Sequence, residues 1–281
     1  QIKSVLWSAG QGHVGMTALG EILSGKVNPS GKTIDTYVYD LKATPWWNNF
    51  GDFNYTNMDE YIYRQEFFGT VSIEVPAFVN YVEGIYVGYK FYETAAAEGL
   101  IDYDATVQYP FGYGLSYTTF TQSMGELAEN NGKISFDVTV TNTGSVAGKE
   151  VVEVYVNPPY TNGGIEKASA NLVAFEKTSM LQPGASETVK ISFSLEDIMS
   201  YDYLVNQAYV LEAGDYVVSI NSDSHHVLDS KTYTVAATTV YDGDNKRESD
   251  KITATNQFDY ANGGVTYLSR ADGFANYDVA T

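Results

Sequence analysis

The chain has 281 residues, 44% hydrophobic and 14% aromatic, enough apolar material for one large cored domain or two smaller ones. Against 35 acidic residues stand only 16 basic ones, and the formal net charge of −19 repels a phosphate backbone or an anionic membrane surface, leaving neutral partners such as sugars. With no cysteine there is neither a disulfide framework nor a thiolate metal site, and no apolar run is long enough to span a bilayer. The compartment, cytoplasmic or extracellular, stays open.

The opening QIKSVLWSAG lacks the basic stretch, apolar core and cleavage site of a signal peptide. Ser4 to Trp7 instead predicts a short buried strand that starts partway through a domain. Gly10 to Gly25 then supplies a glycine-rich turn and a helix with Met16, Leu19, Ile22 and Leu23 on one face, and Gly25 stands where a C-cap is expected. Asn28 to Lys32 (NPSGK) is a turn cluster, and Thr33 to Asp40 alternates as a strand does. One such unit cannot bury both faces of a sheet, so the segment is expected to need further parts of an α/β domain.

From Leu41 to Tyr109 the pattern is irregular and aromatic, which predicts an arm that wraps a neighbouring surface, with a helix near Gly84 to Glu98. Period-two runs dominate from Thr118 to Ala237. Ile134, Phe136, Val138 and Val140 share one face, as do Val152, Val154 and Val156, then Val189, Ile191, Phe193 and Leu195, then Tyr216, Val218 and Ile220. Punctuated by NTG, NPP, PGAS and EAGD turns, they predict an antiparallel β-sandwich. After Ala237 the chain is polar with sparse apolar anchors.

Three runs carry a further signal: YVEGIYVGYKFYE (Tyr81 to Glu93), YPFGYGLSYTTF (Tyr109 to Phe120) and VTVTNTGSVAGKEVVEVYV (Val138 to Val156). Together and in this order, with the NPSGK turn before them, they resemble the carboxy-terminal half of glycoside hydrolase family 3. The resemblance implies a mixed fold: residues 1–45 as the end of an α/β sandwich domain, 46–117 as an aromatic arm and junction, and 118–237 as an all-β fibronectin type III-like (immunoglobulin-like) sandwich. YLSRADGFANY (Tyr267 to Tyr277) resembles the connector of the subgroup with inverted domain order, which makes 238–281 a linker toward a (β/α)8 barrel outside this chain. The implied activity is retaining hydrolysis of β-glucosides or related β-linked oligosaccharides. That chemistry uses two carboxyl groups about 5–5.5 Å apart. In the family the nucleophile lies on the barrel and the acid/base upstream of the segment present here, so no catalytic residue is assigned.

Five residues are candidates for substrate contact. Gln11 and His13 follow a strand end, where α/β sheets bind ligands, and either reach a sugar hydroxyl or only shape a turn. Trp46 and Trp47 offer aromatic faces for a pyranose, or else anchor the arm. Glu83 is a carboxylate within a family motif, or a charge that caps or pairs at the domain junction. GQGHVG does not fit a dinucleotide fingerprint, Asp242, Asp244 and Asn245 do not complete a calcium loop, and adjacent His225 and His226 point to opposite faces. No metal and no cofactor are expected. The rival reading is a non-catalytic sandwich module that holds a glycan or a protein, distinguished by an exposed Trp46–Trp47 surface with sugar affinity rather than a bare apolar face around Val5, Leu6 and Phe111.

Overall fold

The computed structural model describes all residues except 1–3, 9, 11, 13–14, 48–52, 55–56, 61, 75–76, 79–80, 257–259, 261–263 and 278–281. Two sheets face each other across the main core. One has the strand order Asn171–Lys177, Val151–Asn157, Gly214–Asn221, Val227–Val235; the other runs Ser186–Ser194, Lys133–Asn142, Phe120–Met124, with Ala128–Asn130 also on Lys133–Asn142. All pairs are antiparallel. Lys133–Asn142 shows why the residues form this element: its positions alternate between solvent and core, and Ile134, Val138 and Val140 are fully enclosed. Each such side chain contributes about 1.5–3 kcal/mol relative to leaving it in water. Val152, Val154, Val156, Val189, Ile191, Phe193, Tyr216, Val218 and Ile220 complete the same core, and Leu195 packs at its rim. A small sheet of Ser200–Asp202, Ala208–Leu211 and Thr239–Tyr241 closes one end.

A second core lies beside the first. The helix Tyr89–Ala97 buries Phe91, Tyr92 and Ala95 against Tyr86, Tyr103 and Val107, and the late segment around Leu268 and Phe274 folds back onto it. This helix begins five residues after Gly84, because Gly84 (φ +57°) and Gly88 (φ +61°) have a positive-φ backbone that a right-handed helix does not accommodate. The tail is held by more than apolar contact: the Glu166 carboxylate accepts from Ser269 Oγ (2.5 Å) and the Arg270 backbone N–H (3.0 Å), while the Arg270 guanidinium lies 4.0 Å over the Tyr160 ring.

The amino-terminal segment departs from its pattern. The helix forms as Met16–Leu23, with the Gly25 N–H bonded to the Ile22 carbonyl (2.9 Å), yet it buries none of its residues. Ser4 to Trp7 is not a strand, and Val5, Leu6 and Trp7 are exposed. A strand needs a neighbour to pair its backbone, and none of the described segments pairs there. Of Thr33 to Asp40, only Tyr37–Val38 pairs, with Val107–Tyr109. Besides the short antiparallel pair of Phe53–Asn54 with Ala77–Phe78, the arm contains a hairpin that its composition hides, formed by Tyr63–Phe67 and Thr70–Glu74. Its two-residue loop has positive φ at both Phe68 and Gly69, the twist-matched turn of short hairpins, and Phe68 is 95% exposed at the tip.

Candidate functional site

The three motif runs meet at one joint, and Asn28 of the NPSGK turn is its centre. Its Oδ1 accepts from Ser116 Oγ (3.0 Å) and the Tyr117 N–H (2.8 Å), and its Nδ2 donates to the Ala147 carbonyl (3.1 Å). Thr33 continues the seam: its N–H donates to the Tyr113 carbonyl (2.8 Å), and its carbonyl accepts from the Gly112 N–H (2.9 Å). Two glycines are dictated by this closeness. A Cβ on Gly114 would sit 2.2 Å from the Gly31 carbonyl oxygen. On Gly112, whose φ is +80°, it would sit 2.1 Å from Glu153 Oε2.

Beneath the joint lies a buried polar cluster between the helix and the sandwich. Glu93 Oε1 accepts from Tyr103 Oη (2.7 Å) and Ser224 Oγ (2.7 Å), and Glu93 Oε2 pairs with His225 Nδ1 (2.8 Å). The His225 ring stacks on Tyr103 at 3.5 Å. Glutamate, histidine and serine are thus together, but the serine donates to the carboxylate and not to the imidazole, so no base activates its hydroxyl. The cluster is a fastener. Nearby, Tyr155 Oη donates to Glu153 Oε2 (2.8 Å), and burial is the main cause that lifts the Glu153 carboxyl to about 7, against that hydrogen bond and the Lys32 charge.

The candidate contact residues are scattered. Gln11 and His13 lie outside the described residues. Glu83 is 4% exposed, its Oε2 has no hydrogen-bond partner, and burial raises its pKa against a backbone hydrogen bond. Trp46 and Trp47 are 39% and 37% exposed, with ring centroids 6.2 Å apart at 50°. Only Trp46 lines a recess of ≈ 210 Å³, whose walls also include Asp35, Thr36, Tyr37, Gly88 and Tyr92. Sequence reasoning missed Thr36 and Tyr92, which come to the recess from different elements and share no local motif. Phe111 is half-buried, stacked on Tyr89 with ring centroids 4.6 Å apart, so the bare apolar face comprises Val5 and Leu6 without it. His225 and His226 each face a separate carboxylate, Glu93 and Asp223. Among the described residues no group of three or more histidine, aspartate or glutamate side chains could hold a metal, and no helix is long and apolar enough to cross a membrane.

Seven principal strands in two facing antiparallel sheets, with a helical junction clamped to one end, define a fibronectin type III-like module that carries part of an α/β domain. A family model described as "Fibronectin type III-like domain" matches residues 150–224. Beta-glucosidase A of Butyrivibrio fibrisolvens is 38% identical over 234 residues, covering 77% of this chain and 25% of that protein. The beta-glucosidase of Ruminococcus albus is 34% identical over 239 residues, covering 84% and 22%. Beta-glucosidase 3B of Thermotoga neapolitana, solved with glycerol, superposes with a TM-score of 0.64 at 33% identity over 83% of this chain and 28% of that one. The GH3 beta-glucosidase of Bifidobacterium adolescentis superposes with a TM-score of 0.61 at 28% identity, over 79% and 28%. The chain belongs to glycoside hydrolase family 3, as the carboxy-terminal region that joins the α/β sandwich domain to the fibronectin type III-like domain. It spans about a quarter of the length of the curated relatives it matches.

Proposed function

We propose that this chain is the bracing part of a retaining glycoside hydrolase that acts on β-glucosides or related β-linked oligosaccharides, with the nucleophile on a (β/α)8 barrel outside it. The observation that carries this reading is the joint itself. Asn28, Thr33 and the two tight glycines fix a piece of α/β domain onto a self-sufficient sandwich, while Val5, Leu6, Trp7, Met16 and Leu23 stay bare. Such an apolar face is what an adjoining part of the α/β domain would cover. The relatives that align with this chain are named beta-glucosidases, which supports the substrate class. The inverted domain order rests on the resemblance of Tyr267 to Tyr277 to a connector; here that segment is strapped to Glu166, which would set the direction in which the chain leaves the junction.

Aryl β-glucoside turnover, measured on the purified chain and then with a barrel-bearing polypeptide of the family added, tests the reading. The 30.9 kDa chain alone is expected to give no rate above background, and the assembled enzyme to release glucose with its anomeric configuration kept. Turnover by the chain alone that survives repurification would overturn it, as would an inverted product from the assembly.

A further inference from the structure

The seam between the helix Tyr89–Ala97 and the sandwich is fastened differently on its two sides. On one side the bonds are neutral: the Tyr89 hydroxyl accepts from the Leu172 N–H (2.9 Å) and the Thr94 hydroxyl from the Ser169 N–H (3.0 Å). On the other side, residues 222–226 link the strands Gly214–Asn221 and Val227–Val235 and, among the described residues, take four bonds from the α/β side of the joint. The Lys32 ammonium donates to the Ser222 carbonyl (3.3 Å), and the Phe111 carbonyl accepts from the Ser224 N–H (2.8 Å). The Glu93 carboxylate accepts from Ser224 Oγ (2.7 Å) and pairs with His225 Nδ1 (2.8 Å). All but one of these bonds use an ionisable side chain. The shape of the loop depends on charge as well, since the buried Asp223 carboxylate accepts from the N–H groups of His225 (3.0 Å) and His226 (2.9 Å) and pairs with the His226 ring (2.8 Å). Against the Gly112 turn beside this loop lies the Glu153 carboxylate, 4% exposed.

We propose that residues 222–226 form an acid-closed latch: a protonated His225 and an uncharged Glu153 keep it shut in mildly acidic solution, and above neutrality it opens locally while the neutral side of the seam stays bonded as a hinge. Both groups sit among more acid than base. His225 faces Glu93 and the stacked Tyr103 ring from the junction and shares its loop with Asp223 and His226, and the charges of Asp223 and Asp104 also act on it. Glu153 faces Tyr155 on its own strand and the charges of Lys32, Asp223 and Glu150, while Tyr89 packs edge-on to Tyr155 from the helix. The lysine in this set is shared, since Lys32 pairs with Glu150 (3.2 Å) as well as holding Ser222. When His225 loses its proton the pair with Glu93 becomes an ordinary hydrogen bond, and when Glu153 ionises a buried charge joins Asp223 and Glu150 in one corner. The two losses run the same way. Burial is the chief cause that holds the Glu153 carboxyl at about 7 against 4.5, and the Glu93 hydrogen bond is the chief cause that raises His225. The closed latch therefore binds more protons than the open one between 4.5 and about 7 through Glu153, and from 6.5 to its raised value through His225. Closing weakens as pH rises through these windows and levels off above them. The latch decides how firmly the turns at Lys32 and Gly112 sit on the sandwich, and so the angle at which the α/β piece is held. It needs no barrel and no catalytic residue, so it stands or falls separately from the glucosidase reading.

Amide hydrogen exchange of the whole 281-residue chain, read by mass spectrometry at pH 5.5 and pH 8 and corrected for the intrinsic rate at each, tests it. For peptides covering residues 222–226 and 111–113, the opening constant is expected to rise by about tenfold or more between the two pH values. At pH 8 it should exceed that of the core strand Lys133–Asn142 by at least about tenfold, the mark of a local opening and not of global unfolding. The hinge amides of Ser169 and Leu172 should change less than the latch does. Glu153→Gln is expected to remove most of the rise, His225→Gln a smaller share of about threefold or less, and the double variant nearly all of it. Thermal melts show whether each variant folds, and the wild-type comparison of latch, hinge and core needs no variant. Equal latch opening at pH 5.5 and pH 8 would overturn the proposal. So would latch and hinge loosening in step, or a folded double variant that keeps the wild-type rise.

Discussion

The sandwich and the amino-terminal segment are both amphipathic, but only the sandwich closes on itself. Lys133–Asn142 buries alternate residues against a second sheet of the same chain, whereas the helix Met16–Leu23 carries an apolar face that the described residues only half cover, with Leu19 and Ile22 half-buried and Met16 and Leu23 exposed. The contrast separates pattern from partner. A hydrophobic stripe states that a face is meant to be buried, and only the fold around it states by what.

Paired truncations would break the comparison most sharply. Ile134→Ala, at a fully buried position, is expected to cost about 2–5 kcal/mol through lost transfer energy and a residual cavity. Leu23→Ala, on the bare helix face, should change stability by no more than about 0.5 kcal/mol. Urea titrations of the two variants, read as midpoint shifts at constant slope, check both. A large loss at Leu23 would mean that its face is covered after all, by self-association or by another part of the chain.

The joint should respond almost as strongly as the core. Gly112→Ala forces a side chain into left-handed backbone, a strain of about 1–2 kcal/mol, and drives its Cβ onto Glu153 Oε2, adding about 1–3 kcal/mol of overpacking. A double variant, Gly112→Ala with Glu153→Ala, removes the clash but not the strain. The two changes are therefore expected to be non-additive, with part of the Gly112→Ala loss absent in the Glu153→Ala background. Strict additivity would show that the glycine is needed for its backbone alone.

How much of this is legible in the sequence follows from how local each feature is. The sandwich strands are readable because alternation is a property of neighbours in the chain, and Val138 or Ile220 is buried for the reason its pattern states. The hairpin Tyr63–Glu74 is not, because each of its faces mixes apolar and polar side chains. Its turn also places Phe68, not the usual Asn or Asp, at positive φ. Ser4 to Trp7 resembles a strand because a short apolar run looks the same whether or not a neighbour lies beside it. The motif glycines are conspicuous in the sequence, but that Gly114 answers to the backbone of Gly31 is a tertiary fact. The recess is half legible: Trp46 stands out as an aromatic, while Thr36 and Tyr92 are ordinary residues until folding brings them together.

Charge sharpens the comparison in the other direction, since here the well-packed region carries the destabilising group. Burial holds the Glu153 carboxyl at about 7 in the folded chain, against an ordinary value of 4.5. Between those values the folded state binds more protons than the unfolded one. Stability from this group therefore falls as pH rises through that window and levels off above about 7. Glu153→Gln is expected to stabilise the protein at pH 8 by on the order of 1–3 kcal/mol and to change little at pH 4. Denaturation curves at both pH values decide it, and a variant less stable at pH 8 would show that the charge of Glu153 is needed by Lys32.

The smallest effect is expected at the link between the junction and the sandwich, where His225 pairs with Glu93 across the two cores. The hydrogen bond to Glu93 is the chief cause that raises the His225 pKa, with burial opposing it and the charges of Glu93, Asp223 and Asp104 adding to it. A histidine with a raised folded value contributes its full stabilisation below the unfolded value of about 6.5, and loses it as pH rises through the higher folded value. The imidazole is about one-third exposed (32%), so solvent screening keeps the contribution below about 1 kcal/mol. His225→Gln can still donate to Glu93 but cannot titrate. Its melting temperature should therefore match the wild type above neutrality and fall short of it near pH 5.5. Glu153 titrates in both proteins, so the difference between the two pH profiles isolates the His225–Glu93 pair. Parallel profiles would mean that the stack on Tyr103, and not the ion pair, holds the two regions together.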